Sequence, residues 1–267
     1  MGDRRMSRRN ILGKPLVVVW FSNGAASAVA LKETVLRYDA THEVRAVNNP
    51  VIEEDEDNLR FARDVARWVG IEIERATNRN YPLASAVDVW DRRGAMNFPH
   101  GAPCTTHLKK EARQQYERQH RIEWHVFGFT ADEEKRHARF VLTERSNVLP
   151  VLIDAGLTKT DCLARIEAAG IALPRVYGWG FPNANCIGCP KATSPTYWNL
   201  VRSVRPQVFA ARAAQSRELG ARLVRHKGRR LFLDELPPDA KGRPPKSFHV
   251  ECGVICEEYR APRRRIG

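Results

Sequence analysis

The first clear pattern along the chain is an apolar run that ends in a loop of small residues. Leu16–Phe21 is continuously apolar, which is typical of a buried strand. Ala25–Tyr38 predicts a helix with one apolar stripe, formed by Val29, Leu31, Val35 and Leu36. The small residues Ser22–Ser27 join the strand to the helix.

Strand and helix patterns alternate through the first half of the chain. We predict strands at Glu43–Val47, Ile71–Arg75 and Ile122–Phe129, and helices at Asp55–Val69, Thr105–Gln119 and Asp132–Val141. Asn78–Pro103, rich in Asn, Pro and Gly, predicts a long irregular segment. This order favours an α/β fold in which parallel strands are joined by right-handed crossovers and flanked by helices.

The character of the sequence changes after Pro150. Helices are predicted at Leu157–Ala169 and at Ser194–Leu219, the second interrupted by Pro206. Between them lies the cysteine-bearing loop Tyr177–Ala192, and the proline-rich final third predicts loops. We therefore divide the chain into a basic N-terminal tail (1–14), an α/β domain (15–150) and a cysteine-bearing helical and loop region with a basic tail (151–267).

The chain of 267 residues carries a net charge of +13, and much of the excess lies at its ends. The arginines concerned are Arg4, Arg5, Arg8, Arg9, Arg260, Arg263, Arg264 and Arg265. This charge makes nucleic acid a candidate partner, with solvated tails that aid solubility as the alternative. Neither a membrane span nor a secretory signal is recognisable, so we expect a cytoplasmic protein that does not enter a membrane.

The loop Ser22–Ser27 has the order of elements that binds anions. A helix that begins directly after a strand presents free backbone N–H groups and the positive end of its dipole. Gly24 allows close approach of the backbone, and Ser22 and Ser27 supply hydroxyl donors. The alternative is an ordinary strand–helix turn capped by Ser22.

The six cysteines suggest metal or redox chemistry, because disulfides are rare in cytoplasmic proteins of this size. Cys186 and Cys189 form a CxxC turn, and Gly188 lets both sulfurs face one point. Further ligands would come from Cys104, Cys252 or Cys256, a set that suits zinc or an iron–sulfur cluster. Cys162, beside apolar residues, is more typical of a core position.

The loop sequence SNGAAS resembles the SGGxDS pyrophosphate loop of the adenine-nucleotide α-hydrolase-like superfamily, which includes the ATP pyrophosphatases and the PAPS and adenylyl-sulfate reductases. The likeness is strongest to a phage-type branch of PAPS-reductase-like proteins. It implies a Rossmann-like sheet of the HUP type. Asn23 replaces a glycine, and Ala26 replaces the acid that ATP-cleaving members use near magnesium. The second change favours a reductase-type or otherwise non-hydrolytic site. Acids at 53–57 are an alternative magnesium site, or simply suit a helix N-terminus.

The cysteines also resemble those of cluster-bearing adenylyl-sulfate reductases. CTTHLKK at Cys104 is similar to their first element with one cysteine missing, and CIGC to their second. The likeness implies a 4Fe–4S cluster, with zinc as the alternative, on Cys104, Cys186, Cys189 and Cys256. The ECG of residues 251–253 resembles the reductases' C-terminal ECGxH, without its histidine, and implies that Cys252 is the catalytic nucleophile.

Further positions follow from the likeness. Gly128, Glu133 and Arg136 match a Gly-x-x-x-x-Glu-x-x-Arg segment, although a solvated helical face explains the arginine equally well. The expected nucleotide-binding residues are Ser22, Asn23, Gly24, Ala25, Ala26, Ser27, Asn48, Lys109, Gly128, Glu133 and Arg136.

The expected function is cysteine-dependent sulfur chemistry on a bound adenine nucleotide (PAPS, adenylyl sulfate or ATP). Read most literally, it is reduction of a sulfonucleotide with a thioredoxin-like or other electron donor. One alternative is ATP-dependent thiolation of DNA or tRNA, which the basic tails favour. Another is a non-catalytic nucleotide-binding accessory protein with a structural metal. A homo-oligomer is expected.

Overall fold

The fold is organised around the strand–loop–helix unit predicted at the start of the chain. In the computed structural model, which describes residues 13–98 and 101–243, β1 spans Leu16–Phe21 and α1 spans Ala25–Tyr38, as predicted. The other strands are β2 (Glu43–Asn48), β3 (Ile73–Arg75), β4 (Ile122–Val126), β5 (Val148–Leu149), β6 (Val224–His226) and β7 (Arg229–Leu231).

Most of the remaining described residues in regular structure are helical. The α-helices after α1 are α2 (Asp57–Val69), α3 (Ala86–Arg93), α4 (Ala112–Glu117), α5 (Glu134–Thr143), α6 (Val151–Asp154), α7 (Lys159–Ala168), α8 (Arg175–Gly178), α9 (Pro195–Val204) and α10 (Pro206–Glu218). A π-helix covers Thr105–Glu111, and short 3₁₀-helices cover Ala131–Glu133 and Leu233–Glu235.

A five-stranded parallel sheet in the order β3-β2-β1-β4-β5 forms the centre, which confirms the predicted α/β class. Both faces are covered, because alternate β1 side chains enter different apolar clusters. Val17, Val19 and Phe21 pack with α1, α2 and α7, whereas Val18 and Trp20 pack with residues of α4 and α5. This is the burial expected of a parallel sheet between two helical layers.

The packing crosses the division that we predicted at residue 150. Val151 and Leu152 of α6, with Cys162 and Ile166 of α7, share the apolar cluster of α1. A third cluster joins residues 51–108 to residues 176–240 and contains Cys104, Cys186 and Cys189.

Several described segments differ from the sequence predictions, three of them most clearly. Residues 78–103, predicted to be irregular, contain α3, whose N-terminus is capped by the Ser85 side chain. The helix predicted at Thr105–Gln119 begins as a π-helix and continues as α4. The final third, predicted to be loops, contains the antiparallel hairpin β6–β7. Among the described residues, no helix has the length and apolar character needed to cross a membrane.

Candidate functional site

The loop between β1 and α1 holds itself in shape with its two serines. The Ser27 hydroxyl donates to the Gly24 carbonyl (2.9 Å) and accepts from the Ser22 backbone N–H (3.1 Å). Gly24 precedes α1 in extended conformation and has no side chain to cap the helix, while the Tyr177 hydroxyl accepts from the Ala25 backbone N–H at 3.5 Å. The N-terminal end of α1 directs its positive dipole end at the space beside the loop, next to this hydroxyl.

That space is a cavity of about 200 Å³ at the carboxyl ends of β1 and β4. Ser22, Gly24, Ala25, Ala26 and Ser27 line it, together with the residues that follow β4. Its charged lining residues are Lys109, Arg113, Lys159, Asp132 and Glu133, and its aromatic ones are Trp20, Phe21, Phe127, Phe129 and Tyr177. In an open parallel sheet this is the edge at which ligands bind.

Gly128 brings the end of β4 against the loop. A Cβ added to Gly128 would lie 2.9 Å from the Ser27 backbone nitrogen and 3.1 Å from the Ala26 carbonyl carbon. Both neighbours are backbone atoms, so no side-chain movement would relieve the contact. The position therefore requires glycine, and it forms one wall of the cavity.

Asn23 does not line the cavity, and its side chain belongs to a buried network. It has a left-handed φ of 59°, and its side-chain amide donates to Glu54 Oε2 (3.1 Å). The other Glu54 oxygen lies 3.0 Å from the Lys109 ammonium, which also donates to the Asn49 carbonyl (2.7 Å). Both side chains of this ion pair are more than nine-tenths buried. Glu54 therefore joins the candidate anion loop to the π-helix that follows Cys104.

Glu133 and Arg136, expected to contact nucleotide, form a pair in the structure. Arg136 Nη1 donates to Glu133 Oε1 (2.5 Å), and its guanidinium lies 5.5 Å from the Phe129 ring centre. Glu133 Oε2 accepts from the Thr130 backbone N–H (3.3 Å) in a capping box. Glu133 lines the cavity while it also closes this helix start.

Asn48 ends β2 and fastens two strands together. Its side-chain amide donates to the Phe21 carbonyl (2.8 Å), which holds the end of β1 beside the end of β2. The following residue, Asn49, lines the cavity instead. The nucleotide contact expected of Asn48 stays a prediction.

Several lining residues were not found by sequence reasoning. Arg113 is buried between the rings of Trp20 (5.9 Å) and Phe127 (5.6 Å), and burial with nearby Arg145 lowers its pKa to about 10. Lys159 donates to the Pro182 carbonyl (2.7 Å) and to Asn183, and thereby holds the loop before the CxxC turn. Isolated cations in helical segments carry no local signal of this role.

Carboxylates of the acidic segment 53–57 accept hydrogen bonds from other parts of the protein. Glu53 accepts from the backbone N–H groups of Ala86 and Val87 at the start of α3. Burial alone would raise the pKa of Asp55, but hydrogen bonds from Arg175, the Asp57 backbone and Arg205 lower it. Magnesium binding by this segment would have to displace these partners, and it stays a prediction.

The CxxC turn is built around a buried tyrosine. The Tyr197 hydroxyl accepts from the backbone N–H groups of Gly188 and Cys189, both at 3.0 Å. Gly188 has a left-handed φ of 75°, which favours glycine. Burial raises the pKa of Tyr197 well above its usual value. The turn is therefore preformed in the core.

Cys104, Cys186 and Cys189 are all buried in the same apolar cluster, so the structure brings three of the four expected metal ligands into one region. Burial lowers the pKa of neighbouring Arg212, an effect opposed by the charges of Glu53, Cys186 and Cys104. This donor chemistry suits a thiolate-bound metal. However, no group of three or more His, Cys, Asp or Glu side chains within residues 13–98 and 101–243 is arranged to hold one. Cys252 and Cys256 lie outside the described residues.

The cysteine turn adjoins the cavity. Asn183, Ala184 and Asn185 line the cavity, and Cys186 follows directly in the chain. The Asn58 amide donates to the Ala184 carbonyl (2.9 Å), which fixes this stretch against α2.

Comparison with known proteins adds no family to this description. A scan against models of protein families finds no match, and a search of curated proteins finds no significantly similar sequence.

Proposed function

We propose that the chain is a PAPS-reductase-like protein of the HUP type that binds an adenine nucleotide in the cavity and carries out cysteine-dependent sulfur chemistry. The observation that carries the proposal is the position of the SNGAAS loop. The sheet order places β2 and β3 on one side of β1, and β4 and β5 on the other. The cavity opens between β1 and β4, which is the switch point where nucleotides bind in such sheets.

The charge of the cavity supports an anionic ligand. Lys109, Arg113 and Lys159 line it, opposed by Asp132 and Glu133. The loop amides and the N-terminus of α1 would hold phosphate or sulfate oxygens. A volume of about 200 Å³ is below the roughly 300–1,000 Å³ of sites that enclose drug-sized ligands. We therefore place the anionic groups inside and the rest of the nucleotide at the entrance.

The proposed reaction is thiol-dependent reduction of a sulfonucleotide. The Cys252 thiolate would attack the sulfur, the sulfur–oxygen bond to the nucleotide would break, and the nucleotide would leave as its phosphate. One thiolate of a thioredoxin-type dithiol protein would then attack Cys252 Sγ and displace sulfite. The second thiol of that protein would break the resulting mixed disulfide, which frees Cys252 and leaves the dithiol protein as a disulfide. A thiolate near cations has a lowered pKa, which favours the attacking form.

We also propose a 4Fe–4S cluster, or zinc, because the available donors are cysteine thiolates. Cys104, Cys186 and Cys189, with Cys256, would hold it and thereby add metal-bound thiolates beside the cavity. Anaerobic purification followed by an iron and zinc assay tests this part. Replacement of Cys186 by Ala should remove the metal, whereas replacement of Cys162 should not.

Product analysis tests the reaction. With PAPS or adenylyl sulfate and thioredoxin, we expect sulfite release that is lost in Cys252→Ser while the metal is retained. If Cys252→Ser also loses the metal, Cys252 is a ligand and the nucleophile must be reassigned. Nucleotide binding without sulfite or pyrophosphate release would instead identify a non-catalytic module.

ATP-dependent thiolation of nucleic acid is the second candidate, favoured by the net charge of +13. It predicts pyrophosphate release from ATP that DNA or RNA stimulates. The reductase function predicts no such stimulation.

The expected homo-oligomer is tested by gel filtration of the same preparation.

A further inference from the structure

The hairpin β6–β7 carries a dense group of positive charges that the proposed reaction does not use. Its exposed basic side chains are Arg222, Arg225, Lys227, Arg229 and Arg230. No Asp or Glu occurs from Gly220 to Leu233. The acids that follow, Asp234 and Glu235, form ion pairs with Arg217 at 2.8 and 2.9 Å.

The pairing of the two strands sets like charges side by side. Arg225 lies directly opposite Arg230, whereas Val224 and Leu231 pair on the face that packs on the core. Both side chains are exposed, and Arg230 Nη1 also donates to the Leu223 carbonyl (3.2 Å). The turn between the strands also contains a cation, because Lys227 occupies a left-handed position with a φ of 46°, ahead of Gly228 at 77°. Asn, Asp or Gly is the usual choice at the first of these positions.

We propose that the β6–β7 hairpin is a binding surface for duplex DNA. A two-stranded ribbon has the dimensions to enter the major groove of B-form DNA, and its exposed cations would contact phosphates on both sides. The major groove of double-stranded RNA is too narrow for such an entry.

The hairpin adjoins the CxxC segment of the chain. The Arg225 backbone N–H donates to the Thr193 carbonyl (2.8 Å), and Thr193 lies four residues after Cys189. DNA on the hairpin would therefore lie beside the segment that carries the cysteines. The inference does not depend on the proposed sulfur chemistry, because it rests on hairpin charge and geometry alone.

Salt-dependent binding of a 20-base-pair duplex to the full chain tests the inference. In the variant R225Q/K227Q/R229Q/R230Q, we expect at least tenfold weaker binding at 100 mM salt. We also expect the slope of log K against log salt to be smaller by about 3–4. The matched control R63Q/R118Q/R121Q/K135Q removes the same charge from exposed positions elsewhere and should bind as the wild type does.

A single substitution separates binding from folding. Lys227→Asn places the preferred residue in the turn, so we expect a higher unfolding temperature together with a salt slope smaller by about 1. Equal losses in the hairpin and control variants would overturn the proposal, as would unchanged binding in the hairpin variant. Tighter binding to duplex RNA of the same sequence, or to vesicles with one-third anionic lipid, would also overturn it. Aggregation with unchanged DNA affinity would show that the charges only protect a sheet edge.

Discussion

Gly128 lies so close to Ser27 that a single added methyl group would sit 2.9 Å from the Ser27 backbone nitrogen. The contact joins the residue two positions after β4 to the first turn of α1, and both residues line the cavity. The wall of the candidate site is thus set by backbone atoms, which cannot move independently of the sheet.

The first prediction is that Gly128→Ala destabilises the protein and opens the site. Overpacking against the backbone costs roughly 1–3 kcal/mol, and displacement of the loop should weaken adenine-nucleotide binding at least tenfold. Chemical denaturation and calorimetric titration measure the two effects. Gly178→Ala is the matched control, because a Cβ there meets nothing within 4 Å. Wild-type stability in Gly128→Ala would contradict the close contact.

The second prediction concerns the buried pair of Glu54 and Lys109. Glu54→Gln removes the carboxylate of this buried ion pair, and breaking a buried pair by removing one partner costs about 3–5 kcal/mol of unfolding free energy. Glu144→Gln is the control, because the Lys110–Glu144 pair is about one-quarter exposed on both sides and should contribute at most about 1 kcal/mol. Urea denaturation measures the loss of unfolding free energy in both variants. Equal losses would show that the buried Glu54–Lys109 pair contributes no more to stability than the exposed pair.

Local patterns predicted the centre of the fold well. β1 and α1 were located from sequence with the bounds that the structure shows, because one apolar run and one helical stripe define them. The predicted end of α2 at Val69 agrees with the structure, because Gly70 adopts the left-handed conformation that ends helices. The loop Ser22–Ser27 could also be located from sequence, because a loop that joins a parallel strand to the following helix lies at the carboxyl edge of the sheet.

Long-range contacts explain what the sequence did not reveal. Glu54 was read as one acid among five, although its role depends on Asn23 and Lys109, which are remote in the chain. Arg113 gave no signal because its aromatic partners come from β1 and the end of β4. The hairpin β6–β7 was hidden by its arginines, which do not alternate with enough apolar residues to resemble strands.

The third prediction is a loss of stability in mild acid caused by His125. Burial, followed by nearby Arg145 and Arg113, lowers the pKa of this imidazole to about 3. The unfolded chain, with a histidine pKa near 6.5, therefore binds one more proton between about pH 3 and 6.5.

Stability should accordingly fall as the pH drops through this window, with a slope that approaches about 1.4 kcal/mol per pH unit from His125 alone. His125→Asn, which keeps an acceptor for the Trp20 indole N–H, should reduce the slope by nearly one proton between pH 6 and 5. Urea denaturation at each pH measures it. Parallel curves for wild type and variant would contradict a neutral buried His125.

The last prediction separates Cys162 from the cysteines of the candidate metal site. Cys162 is fully buried among apolar residues of α1 and α7, and burial raises its thiol pKa to about 12. Since the thiolate is the reactive form, iodoacetamide at pH 8 should modify Cys162 only after the protein is unfolded. Cys162→Ala removes one buried heavy atom and should cost about 1 kcal/mol. The same variant should retain its metal content, whereas Cys186→Ala should lose it. Rapid alkylation of Cys162 in the native protein, read by peptide mass mapping, would show that this helix opens far more often than its packing implies.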